Sequence, residues 1–160
     1  LTHKQGSLSF TFQPDWHFSR FSPPVNKFLF HAGPQLKPGK FNWKSAMLIR
    51  YLPTFQRFYF SITNSVRNTL IVSSKPENWD GKSPLEIAVS WNMTGEKPQM
   101  ALFFNGVKAA DNPKTWDDKE LQVRFVPDEL PYSLSFGALN SGDDPADGTI
   151  GKVKIEAQKN

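Results

Sequence analysis

Apolar and polar positions alternate along two neighbouring stretches, residues 84–92 and 99–107. In the first, Ile87, Val89 and Trp91 fall on one side of an extended chain, and Glu86, Ala88 and Ser90 on the other. Met100, Leu102 and Phe104 repeat the pattern in the second. A period of two is the signature of a half-buried strand, so two antiparallel strands are predicted here. Asn105-Gly106 closes the second one. Both residue types accept left-handed dihedrals, so the chain should reverse there.

Similar runs recur along the chain. Residues 7–13 set Leu8, Phe10 and Phe12 against Ser7, Ser9 and Thr11. Residues 27–31, 46–52, 56–63, 69–74, 120–126, 132–137 and 149–157 also read as strands, with a turn at Pro53-Thr-Phe55. The last alternates Val153 and Ile155 with Lys152, Lys154 and Glu156, which predicts one wet face. No window of helical length shows a 3.6-residue apolar period. Most of the 13 prolines and 10 glycines fall between the runs, where they punctuate turns. About ten strands without helices predict an all-β fold, a two-sheet antiparallel β-sandwich of jelly-roll type.

The 160 residues fit one domain, read here as excised from a larger multidomain protein. Fourteen Phe, five Trp and three Tyr provide ample core material. No stretch approaches the roughly 18 apolar residues of a membrane span, so no membrane partner is expected. The net charge of +4 is spread without a basic run, which gives no footprint for nucleic acid. The absence of cysteine excludes a disulfide scaffold and thiol chemistry.

Several strings together resemble a known family. Ser7-Leu-Ser-Phe-Thr-Phe-Gln-Pro-Asp15 is similar to the opening strand of concanavalin A-like, LamG-type jelly-roll domains. Leu85-Glu-Ile-Ala-Val-Ser-Trp91 and Met100-Ala-Leu-Phe-Phe-Asn-Gly-Val107 resemble the family's central strand and hairpin. Gly148-Thr-Ile-Gly-Lys-Val-Lys-Ile155 resembles its closing strand. The four lie in family order. Pro84 stands near the family's usual Trp, and Gly151 where Asp is common. The resemblance implies a bacterial, secreted or surface-exposed sandwich that binds glycans, often beside a catalytic domain.

The chemistry needed for catalysis is thin. Glucanase relatives carry Glu-x-Asp-x-x-Glu on one strand, and glycoside hydrolysis needs such a carboxylate pair; this chain has no such string. Asp117, Asp118 and Glu120 cluster in a polar loop, and Asp128-Glu129 in a Pro-bracketed turn. Gln122-Val-Arg124 only faintly resembles a lyase strand. There is no Gly-x-Ser-x-Gly elbow, and His3, His17 and His31 form no spaced ligand pair. A non-catalytic domain is expected. Asp143, Asp144 and Asp147 form an Asp-rich turn of the kind that holds calcium, which makes calcium the one cofactor to consider.

Sugars stack their C–H faces on aromatic rings and bond their hydroxyls to planar polar groups. Trp16, Trp43, Trp79 and Trp116 lie in or beside loops. Strand parity turns Arg50 outward from Met47, Ile49 and Tyr51. It turns Tyr59 and Ser61 outward from Phe58, Phe60 and Ile62, and Gln122 and Arg124 outward from Val123 and Phe125. Trp43, Arg50, Tyr59, Trp79, Trp116 and Arg124 are thus the candidate carbohydrate-binding residues. The Arg pair would suit acidic groups on a glycan. A polysaccharide and the neighbouring domains of the same chain are the expected partners. The alternatives are a structural or protein-interaction sandwich accessory to a polysaccharide-degrading enzyme, and a divergent hydrolase or lyase.

Overall fold

A computed structural model describes residues 4–15, 26–34, 37, 44–128, 133–138 and 146–156. Among the described residues ten strands form two five-stranded antiparallel sheets, and the expected two-sheet sandwich is the architecture observed. In chain order the strands are β1 (Gln5–Pro14), β2 (Lys27–Gly33), β3 (Ala46–Leu52), β4 (Arg57–Thr63), β5 (Thr69–Ser74), β6 (Leu85–Asn92), β7 (Gln99–Phe104), β8 (Val107–Ala110), β9 (Ser133–Phe136) and β10 (Gly148–Glu156). One sheet has the order β10-β1-β6-β7-β8, the other β5-β4-β3-β2-β9.

The apolar alternation decides which face of each strand is buried. Leu8, Phe10 and Phe12 sit beside Ile87 and Val89 across the β1–β6 ladder. Trp91, Met100, Leu102 and Phe104 complete that inner face. From the other sheet come Met47, Ile49, Tyr51, Phe58, Phe60 and Ile62. Rings interlock across the gap: Phe58 meets Phe104 at 5.3 Å, Phe60 meets Trp91 at 6.0 Å, and Phe10 meets Phe136 at 6.0 Å. Each such side chain, fully removed from water, contributes about 1.5–3 kcal/mol.

The turn at Asn105-Gly106 joins β7 to β8 in two residues. Asn105 has φ 49° and Gly106 φ 78°, the left-handed pair that a tight hairpin requires. Asn105 also accepts the Glu86 N–H through Oδ1 at 3.0 Å, tying the turn to β6. The chain after this turn continues as β8, within what reads in sequence as a loop. Residues 53–55 make one 3-10 turn, where a turn was expected.

Two expectations fail locally. Residues 120–126 form no strand. Phe125 is buried, yet Val123, assigned to the same face, is 58% exposed. Two-residue parity does not hold in an irregular segment. The outer face of the β3 sheet is also not open. Phe28, Ala46 and Leu48 form a second small apolar cluster there, and His31, Arg50, Ser61 and Thr63 beside it are buried. Arg50, at 3% exposure, does point away from the core, but it is not on a free sheet surface.

Candidate functional site

β5 is an edge strand, and a single loop closes its edge. After β8, the edge of one sheet, the chain passes to β5, the edge of the other, and Lys114 pairs with Ile71. The Ile71 N–H donates to the Lys114 carbonyl at 2.8 Å, and the Lys114 N–H returns the bond at 2.9 Å. The loop is thereby fixed to the sheet one residue pair before Trp116.

A short turn presents Trp116. The Asp118 N–H donates to the Thr115 carbonyl at 3.1 Å. The Thr115 hydroxyl donates to Asp117 Oδ1 at 2.7 Å and accepts the Lys119 N–H at 3.2 Å. Lys119 Nζ reaches Asp117 Oδ2 at 2.7 Å, and Lys114 Nζ reaches Asp118 Oδ1 at 3.0 Å. Bonds from Lys119 and Thr115 hold the Asp117 carboxyl at about 2, below its ordinary value. The acidic cluster seen in the sequence therefore serves to brace the loop.

Beneath this turn lies Arg50. Its guanidinium carbon is 4.5 Å from the centroid of the Trp116 indole and 5.3 Å from that of Tyr59. Both distances are within the range of cation–π attraction. Burial pushes the guanidinium down to about 10, with the Coulombic effect of Tyr59 opposing, so it stays charged at neutral pH. Trp116 nonetheless remains 55% exposed. One face of the indole rests on Arg50, and the solvent-facing remainder is a flat apolar platform.

The platform borders a groove of about 550 Å³. Its sheet wall is Arg57, Tyr59, Ile71 and Ser73; its loop wall runs from Ala110 to Asp118 and includes Asp111, Asn112, Lys114 and Thr115. Arg57 donates to the carbonyl and hydroxyl of Ser73, both at 3.3 Å. Asp111 pairs with Lys108 at 2.6 Å. Cations and carboxylates are therefore balanced around the opening.

Three of the candidate residues, Arg50, Tyr59 and Trp116, come together in this structure. Arg50 supports the site from below and does not line the groove, which corrects its expected role as an open contact for acidic groups. Trp79 is placed elsewhere. Its ring packs on Phe58 at 5.5 Å and Tyr51 at 6.3 Å, and its Nε1 donates to the Ser83 carbonyl at 2.9 Å. It closes the end of the core. The neighbouring Asp80 accepts from the Lys82 and Ser83 N–H groups at 2.8 and 2.7 Å and from the Ser83 hydroxyl at 2.7 Å. Those bonds, those from Ser83 foremost, hold its carboxyl at about 2. Arg124 is exposed on a second groove, apart from Arg50. Trp43 and Trp16 lie outside the described residues, as do His3 and His17.

Of the calcium candidates, Asp143 and Asp144 also lie outside the described residues. Asp147 is engaged with a cation: its Oδ2 is 2.5 Å from Nζ of Lys27 on β2. Among the described residues no three His, Cys, Asp or Glu side chains gather as a metal site. Asp128, from the Pro-bracketed turn, accepts the Ser65 N–H at 3.2 Å.

Sequence reasoning missed Arg57, Ser73, Asn112 and Lys114. Arg57 was within reach, because it shares the parity of Tyr59 on β4. So was Ser73, which alternates with Leu70 and Val72 on β5 and pairs with Tyr59; Asn112 and Lys114 depend on the Ile71–Lys114 pairing, for which no local pattern exists.

No family model matches the chain, and no curated protein does. Among solved structures it is similar to one titled Botulinum Neurotoxin Type G Receptor Binding Domain, with a TM-score of 0.60 at 10% identity. The match covers 98% of this chain and 35% of that one, so this chain spans about a third of its neighbour's length. At that identity the likeness is one of fold.

Proposed function

We propose that this domain is a non-catalytic carbohydrate-binding β-sandwich that holds a glycan in the groove beside Trp116. The observation that carries the reading is the half-exposed indole, stacked on the buried Arg50 guanidinium and held by a hydrogen-bonded turn. A rigid aromatic face next to amide, hydroxyl and charged groups is what a sugar ring needs for stacking and hydroxyl bonding. Because the turn is already braced, little side-chain freedom is lost on binding. The LamG-type strings in the sequence support the same reading, as does a structural neighbour whose title calls it a receptor-binding domain. In this reading the domain is an accessory part of a secreted or surface protein.

The balanced charge of the groove favours a neutral polysaccharide over an acidic one. Affinity electrophoresis tests this, with gels containing β-glucan, xylan or mannan on one side and polygalacturonate or heparin on the other. Retardation in a neutral gel, unchanged by salt, is expected. Unretarded migration in all of them would contradict the proposal.

A second reading, a docking module for a neighbouring domain, draws on the opposite edge of the sandwich. There Leu134 on β9 and Val153 and Ile155 on β10 are exposed, on edge strands of the two sheets. Exposed apolar edges commonly mark contact surfaces.

A further inference from the structure

A second groove, of about 560 Å³, adjoins the first. Resting on the carbohydrate-binding reading above, we infer that the two form one continuous site for an internal stretch of a linear neutral polysaccharide, not for a chain end or a single sugar.

Three observations join them. Asn112 lines both grooves, so its side-chain amide can bond sugars on either side. The grooves also flank the same pairing of loop and strand: Ile71 and Lys114 line the first, and the residues just before them, Leu70 and Pro113, line the second. And the loop that carries Trp116 continues as the segment that walls the second groove with Leu121, Gln122, Val123 and Arg124. A ligand leaving the Trp116 platform passes over Asn112, across the loop that covers the β5 edge, into the second groove.

The second groove has its own means of holding a sugar. Val123 presents exposed apolar surface, and Gln122 supplies a planar amide. Arg124 forms no ion pair with any described residue and can turn its five donors toward hydroxyls. Its charge is offset by Glu96 and Glu120 on the same walls, as Lys97 is, which again suits an uncharged chain. Each groove alone is in the size range that encloses a drug-sized ligand, roughly 300–1,000 Å³. Two in series exceed what a monosaccharide or disaccharide can occupy. Each groove is open to solvent, so the polymer need not end inside it.

The test is a length series. β-1,3- and β-1,4-linked gluco-, xylo- and manno-oligosaccharides, from disaccharide to hexasaccharide, are titrated by calorimetry into the wild type and into R124A and N112A. Affinity should rise on the order of tenfold or more from disaccharide to hexasaccharide. R124A should remove that gain, so that its hexasaccharide affinity falls to that of its disaccharide; N112A should weaken binding at every length. Equal affinity for short and long chains, or an R124A protein that matches wild type at every length, would overturn the continuous site while leaving the Trp116 groove standing. If none of the oligosaccharides or parent polysaccharides binds, the function proposed above fails, and the extended site with it.

Discussion

Arg50 and Trp116, far apart in sequence, are stacked 4.5 Å from guanidinium carbon to indole centroid. Each depends on the other. Trp116 covers a charge that β3 places on the outside of its sheet, and Arg50 gives an exposed indole a fixed seat. Replacing Arg50 with alanine should therefore do two things. It should destabilise the fold by about 1–3 kcal/mol through lost cation–π contact and lost packing of the arginine stem. It should also release the indole, seen as a red-shifted, more quenchable tryptophan emission and weaker glycan binding. Lysine at this position should recover part of the stability but not the indole's setting, because an ammonium has no flat face to stack. Unchanged emission in R50A would contradict the assigned seat.

The exposed carboxylates Asp80 and Asp117 make a prediction about acid. Both are held at about 2, against an ordinary 3.8. A carboxyl depressed in the folded state contributes stability that is fully present above its unfolded value and lost as pH falls through its folded one. The loops at Trp79 and Trp116 should therefore keep their order down to about pH 4 and lose this contribution between about pH 4 and 2. Carboxyl titration by NMR should place both midpoints near 2, and D117N should bring the loss of Trp116 loop order to neutral pH. Midpoints near 3.8 would contradict the bracing assigned to these groups.

Lys27 and Asp147 tie β2 to the start of β10. Lys27 is largely buried and Asp147 about half exposed, so the pair is only partly screened. D147N should cost about 1–2 kcal/mol in urea unfolding, since it leaves the ammonium without this carboxylate. Because a lysine neutralises Asp147, calcium should not raise the melting temperature and EDTA should not lower it. A rise with calcium that disappears in D147N would show that a metal competes with Lys27.

Much of the fold was legible because a half-buried strand writes its pleat into the sequence. Residues 46–52 and 69–74 match β3 and β5 to the residue, and Asn105-Gly106 marks its turn through the left-handed dihedrals it needs. Residues 120–126 misled for the complementary reason. Val123 and Phe125 alternate as strand residues do, but no described strand pairs with that segment; Leu121, Phe125 and the Asn64–Val126 bond hold it, and Val123 faces solvent. β8 was hidden because Val107 and Lys108 are exposed and Ala109 and Ala110 only half-buried, which leaves no apolar period.

The site was legible only in parts. Trp116 stood out as a loop tryptophan, and Arg50 and Tyr59 as outward residues on strands. Their convergence rests on the Ile71–Lys114 ladder pair, a long-range contact that leaves no mark in either local sequence. Parity could say that Arg50 leaves the core; it could not say that another element covers it. Trp79, in an equally polar loop, ended against Phe58 and Tyr51.

The most direct measurement compares wild type with W116A on a neutral polysaccharide that retards the wild type. Trp116 is more than half exposed, so the variant should fold and lose only about 1 kcal/mol, the contact with Arg50. W116A should migrate as though no polysaccharide were present, while its far-ultraviolet dichroism and urea midpoint stay close to wild type. A folded W116A that is retarded as strongly as the wild type would contradict it.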